Sequence, residues 1–338
     1  MKKAAILGIS LLGFLASAAQ AGQPRPTLDG PTTFRAAPGG SDNNDCVTAP
    51  CRTLQTAYDR AAKIDAFGYA VTIAEDPCTD CGPLNAAVPI VGASSVAIIG
   101  DVANPANCLV SITDGTPFAF EGPMKVLLAG FKTETLTSSG TVRAPHIDVS
   151  RGAAIELGAW DFGQSAADHV IATQASLNHT APYTISGGAY HSHHHAIISS
   201  VIGAENIAVI LRNAPFFGGY YVGNAASFTS YGGAAFSYPD GPATGKQFYV
   251  HFNGTLRLSG VTLPGSLAGS LEGGNVDDDT ASHNFEATGA ITTRVGINWT
   301  RDGVQAHGAT ARIDNYDQLR INPAPLRNVV IQGLSPPP

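Results

Sequence analysis

Four histidines crowd one short stretch of the chain: His191, His193, His194 and His195. On an extended strand, alternate residues share a face and lie about 6.5–7 Å apart. That alternation places His191, His193 and His195 on one side and His194 on the other. Imidazoles on one face can hold Zn²⁺ or Ni²⁺, and a third or fourth ligand would have to come from His146, His169 or His179 on a neighbouring element. The local neighbours are Ser192, Ala196 and other small residues, with no carboxylate inside the segment. Such a cluster is easier to hydrate than to bury. The expectation is a solvated strand edge, dispensable for folding, with no metal and no cofactor.

Carboxylates are sparse. Asp148, Glu156, Asp161 and Asp168 fall in one stretch with Arg151 and His169, and these six are the candidate catalytic residues. Hydrolysis of a glycosidic bond needs two carboxyls about 5–9.5 Å apart. Parallel strands stacked about 4.8 Å apart can bring acids from adjacent rungs into that range. No spacing singles out an acid–base pair, so the competing reading is of turn aspartates and an exposed Arg151–Asp148 pair. Aromatic residues gather between Phe216 and Tyr249. Stacking inside a core accounts for most of them, but Tyr220, Tyr221, Tyr231 and Tyr238 stand beside Asn, Ser and Gly and are candidates for stacking on sugar rings. Asp277, Asp278 and Asp279 read as a solvated acidic turn, and the sequons at Asn178, Asn253 and Asn298 as chance matches.

The elements that would position these residues are short. The chain has 338 residues, 38 of them Gly and 22 Pro, which favours brief strands and frequent turns. Hydrophobic residues make up 44%, enough for a core. Lys and Arg number 19 against 26 Asp and Glu, so clustered cations for a nucleic-acid partner are missing. Residues 1–21 read as a signal peptide, with Lys2 and Lys3, an apolar run and Ala19-Gln20-Ala21 before the cleavage point. The expected location is secreted or periplasmic, with no membrane partner once the signal is removed.

In that compartment, cysteines pair by default. Cys46 and Cys51 flank a turn-prone Val-Thr-Ala-Pro and form a plausible staple. Cys78 and Cys81 can be a redox pair, half of a zinc site with Cys46 and Cys51, or a structural pair in which one member reaches Cys108. The third reading is favoured, because no βαβ context surrounds the motif.

Leu54, Ala57, Tyr58 and Ala61 share helical spacing, and Thr53 can cap the start of that helix. From Tyr69 onward β-branched runs recur, beginning with 70–73, 96–99, 109–112 and 125–128 and ending with 248–251 and 255–258. Their spacing of about ten to fifteen residues is a fraction of a solenoid coil. A β-sandwich would give the same strand density.

The opening segment separates the two. Thr33-Phe34-Arg35, Gly40-Ser41-Asp42-Asn43-Asn44-Asp45 and Arg52-Thr53-Leu54-Gln55-Thr56-Ala57 resemble the start of right-handed parallel β-helix proteins of the pectin-lyase-like class. There a strand, a GSD-type loop and a helix close the N-terminal end of the coil. Residues 181–191 and 263–274 are similar to stretches of bacterial prophage-associated tail-spike and tail-fibre proteins. The signal peptide departs from that pattern and points to an exported relative.

The resemblance implies an all-β, single-stranded right-handed parallel β-helix with an N-terminal capping helix. Its divisions are a signal peptide (1–21), a strand, disulfide loop and capping helix (22–64), the β-helix (65–275), and C-terminal strands with a Pro-rich tail (276–338). It also implies a polysaccharide partner and a candidate homotrimer. The leading expectation is polysaccharide binding. The rivals are a polysaccharide lyase or glycosidase, and a virion-derived structural or adhesin-like protein. Lyases of this fold use a basic residue to abstract a proton, often beside Ca²⁺, a role that Arg151 with Asp148 could imitate.

Overall fold

The computed structural model describes residues 25–258, except 142–143, 213, 217, 226 and 252–253, and shorter stretches between 261 and 331. Residues 1–21, the expected signal segment, and Asp279 lie outside the described residues. The chain forms a parallel β-solenoid of about 7 turns. One α-helix, Leu54–Ala62, stands among the described residues. Its first turn is capped by Thr53, whose Oγ1 accepts from the Thr56 amide at 3.2 Å. Leu54, Ala57, Tyr58 and Ala61 are buried as their spacing predicts, and the helix packs on strands Thr32–Ala36 and Ala70–Glu75.

Each full coil contributes one strand to each of three parallel ladders. The first ladder steps in register from Lys125 to Ala154, Ser176, Val201, Phe228 and Thr255, so a turn of the coil takes 22–29 residues. This uneven step explains why no fixed repeat is legible in the sequence. Register makes like residues stack. Val126, Ile155, Leu177, Ile202, Thr229 and Leu256 form one inward column of the first ladder. In the second ladder, Leu84, Phe118, Ile147, Val170, His194, Tyr221 and Phe248 form another. The third ladder stacks Phe131, Trp160, Tyr183, Val209 and Phe236. Every β-branched run picked out from Tyr69 to Leu258 falls on one of these strands.

The corner between the second and first ladders is built from left-handed residues. Arg151, Gln174, Ile198 and Ala225 have φ of 54°, 51°, 46° and 52° on successive coils. Amides bridge the corners, as from Gly152 to the Gln174 carbonyl at 2.8 Å. Arg151 is therefore a corner residue. Its guanidinium pairs with Glu121 on the preceding coil, not with Asp148.

The cysteines sit at the N-terminal end. Cys46 and Cys51 are joined, with Cα atoms 4.8 Å apart. Cys78 is joined to Cys81, and Cys108 is a buried free thiol, which corrects the expected bond to Cys108. A three-residue separation is enough for the pair to close locally, while Cys108 faces Cys78 only as a strand-bridge neighbour. The two disulfides fit an extracellular location. Among the described residues, no helix is long and apolar enough to cross a membrane.

Candidate functional site

The solenoid distributes the six candidate catalytic residues over different faces. Glu156 projects from the first ladder and pairs with Lys125 at 2.8 Å. Asp148 lies on the second ladder in register with Ala119 and Ile171, and burial and then Glu121 push its carboxyl up. Asp161 lies on the third ladder, in register with Lys132 and Thr184. Asp168 is buried just before the second ladder, while its neighbour His169 points into the core. Sequence proximity thus does not translate into one constellation, because a coil turns through three faces within this stretch.

Beside the third ladder runs a groove of about 750 Å³. Lys132, Glu134, Gln164 and Ser186 supply polar groups to it, and Tyr190 and Pro215 supply apolar surface. Lys132 and Glu134 pair at 3.2 Å. Tyr190 is 47% exposed. Two glycines keep the lining at backbone level. A Cβ on Gly187 would stand 2.3 Å from the Gln164 nitrogen, and one on Gly163 would stand 2.5 Å from Glu134 Cγ. Asp161 projects from the same ladder. Its Oδ1 is buried without a hydrogen-bond partner, and burial pushes its pKa up against hydrogen bonding from Ser186 and the charge of Lys132, with Glu134 adding a little to the rise. Glu134, Gln164 and Tyr190 carry no motif. Only the coil register, invisible in the sequence, assembles them.

Three of the four candidate sugar-stacking tyrosines lie in the core. Tyr220, Tyr221 and Tyr231 are fully buried, and of the four only Tyr238, at 38%, is exposed. A parallel coil has to fill a wide interior, and large rings on successive rungs do so while stacking on one another. Tyr183, Tyr220 and Tyr231 follow this pattern.

The histidines correct the alternation argument. His193 and His194 are both buried, and only His191 and His195 face outward. Strand Ser192–Ile197 begins at a corner, and two consecutive residues enter the core there before alternation starts. The same doubling occurs at His146-Ile147, His169-Val170 and Tyr220-Tyr221. His146, His169, His193 and Tyr220 consequently form a column along the coil axis, with successive ring centroids 4.8, 5.2 and 5.0 Å apart.

The hydrogen bonds of this column fix its protons. The Gly163 carbonyl can only accept, so His169 Nε2–H donates to it at 2.8 Å. His169 Nδ1 must then accept from His193 Nδ1–H at 3.0 Å. His193 Nε2 in turn accepts from the Tyr183 hydroxyl at 3.2 Å, and Tyr183 accepts from Tyr220 at 3.0 Å. His146 Nε2–H donates to the Gln164 carbonyl at 3.0 Å. Its Nδ1 accepts from Thr133, which accepts from Trp160 Nε1–H. His146, His169 and His193 are each satisfied at both nitrogens as the neutral form. Burial pushes His169 down to about 4 and His179 down to about 3, and carries His146, His193 and His194 well below the ordinary value.

No family model matches the chain, and no curated protein or solved structure matches it. The class the fold defines is the parallel β-solenoid.

Proposed function

We propose that this is an exported right-handed parallel β-helix protein of phage tail-like ancestry, closed at its N-terminal end by the helix Leu54–Ala62, that binds an extracellular or cell-surface polysaccharide. The groove beside the third ladder carries the reading. It runs over stacked rungs, combines an exposed tyrosine with ionic and amide groups, and suits a ligand that is apolar on ring faces and polar at its rim. The segments that resemble tail-spike proteins support the ancestry, and the disulfides support export. A glycan array tests the binding. A hit that Tyr190→Ala weakens at least tenfold supports the groove as the binding surface. An array without hits, or a hit indifferent to Tyr190, counts against it.

The alternative of a polysaccharide lyase or glycosidase draws on one observation. Asp161, with its raised pKa, projects from the same ladder as a second carboxyl, Glu134. A carboxyl whose pKa is raised, beside a second carboxyl, is the kind of pairing that acid–base cleavage of a glycosidic bond uses. New reducing ends or unsaturated products from a bound glycan, abolished in Asp161→Asn, would favour this reading.

A further inference from the structure

Asp168, His191 and His195 come from two successive coils. Asp168 lies just before the second-ladder strand Val170–Thr173, and the two histidines flank the start of the strand stacked on it, Ser192–Ile197. The register that pairs Ile171 with His195 brings the carboxylate beside both imidazoles. One ligand atom from each residue lies within 4.8 Å of the others. We propose that these three side chains form a divalent-metal site at the rim of the groove, suited to Zn²⁺.

The carboxylate is oriented in advance. Asp168 Oδ1 accepts from the Ser192 amide at 3.0 Å, from the Ser192 hydroxyl, and from His191 Nδ1 at 2.7 Å. The two Ser192 contacts are the kind of outer-shell support that fixes a metal-binding carboxylate, and the His191 contact is one that the ion would replace. Oδ2 faces His195 Nδ1 at 3.5 Å, and that nitrogen is buried without a hydrogen-bond partner. A hydrogen bond between them would close to about 2.7–3.2 Å. Two ligands on a tetrahedral Zn²⁺, each about 2.0–2.1 Å from the ion, stand roughly 3.3–3.4 Å apart. The observed gap fits a coordination edge better than a hydrogen bond. Turning the half-exposed His191 ring from Asp168 Oδ1 toward the ion completes a two-imidazole, one-carboxylate set. Its side chain is 39% exposed, so water or a ligand can occupy the remaining position. Two nitrogens favour a borderline cation over Ca²⁺ or Mg²⁺, which take oxygen ligands.

A second triad, His179, His193 and His194, also brings its nitrogens within 4.8 Å. It lacks the gap. His179 Nε2 and His194 Nε2 meet at 2.9 Å, a hydrogen-bond distance, and His194 Nδ1 is engaged by Tyr231 at 2.6 Å. His193 is engaged at both nitrogens, and all three rings are buried away from solvent.

The site neighbours the groove through Tyr190, which lines it and precedes His191. Metal binding is nevertheless measured with Zn²⁺ alone, so it stands or falls separately from glycan binding. The full exported chain, made without an affinity tag and stripped with a chelator, is titrated with Zn²⁺ by calorimetry. One equivalent should bind. His191→Ala/His195→Gln, checked for native circular dichroism, should bind about a hundredfold more weakly or worse, since outer-shell losses alone cost about 10–100-fold. If that variant does not fold, the exposed His191→Ala is read by itself and should also weaken binding. Well under one equivalent in the parent protein would overturn the site as an adventitious ion only. Unchanged affinity in a folded variant would equally overturn it.

Discussion

His169 and His193, one coil apart, face each other through Nδ1 atoms 3.0 Å apart in a part of the core where neither ring touches water. One nitrogen must donate and the other accept: protonating His169 at Nδ1 breaks the pair, and protonating His193 at Nε2 takes away the lone pair that accepts from Tyr183. The sign of the pH dependence follows. The folded-state pKa values of His169 and His179 are depressed to about 4 and about 3, against 6.5 unfolded. Their stabilising contribution is fully present above 6.5 and is lost as pH falls toward those values. Each such histidine costs about 1.4 kcal/mol per pH unit below 6.5. His146, His193 and His194 act in the same direction. Denaturant unfolding should show a steep loss of stability between pH 6.5 and 5, and a flat profile across that interval would refute the neutral column.

Glu75 works in the opposite sense. It is buried beside Cys78, with one carboxyl oxygen unpartnered, and burial followed by Asp76 pushes its pKa up to about 8. Its contribution is fully present below 4.5 and is lost as pH rises through about 8. Glu75→Gln should therefore raise the melting temperature at pH 9 relative to the parent and do little at pH 5. Equal shifts at both values would show that the carboxyl is not held neutral.

Substitutions in the histidine run should separate by the side they face. His193→Ala removes a buried ring and strands its partners His169 and Tyr183. It should cost about 2–5 kcal/mol. His191→Ala, at a half-exposed position, should cost no more than about 1 kcal/mol. Comparable losses from chemical denaturation of the two variants would contradict the inward placement of His193.

The sulfur connectivity is open to mass mapping of the oxidised protein. Peptides should show Cys46–Cys51 and Cys78–Cys81, with Cys108 resistant to alkylation until the chain is unfolded. Removing Cys46–Cys51 should cost about 2 kcal/mol or less, because the loop it closes is short. A peptide joining Cys108 to Cys78 or Cys81 would reverse the assignment.

Much of the architecture was already legible in the chain. Runs such as 125–128 and 169–172 are short, β-branched and bounded by turn residues, which leaves little besides a strand to form. The helix stripe of Leu54, Ala57, Tyr58 and Ala61 was equally plain. These signals are local, set by backbone propensity and side-chain spacing. Whether His193 or Tyr220 meets water is not a local property. Period-2 alternation holds along a strand but fails at a coil corner, where two consecutive residues turn inward, and the sequence does not mark the corner. Register between coils is set by turns that take 22–29 residues. That register, not spacing along the chain, places Asp168 against His191 and His195, and separates Asp148 from Asp161. The amino-acid order determined that strands would form and roughly where. Stacking one coil on the next decided which side chains became core, which lined a groove and which could meet an ion.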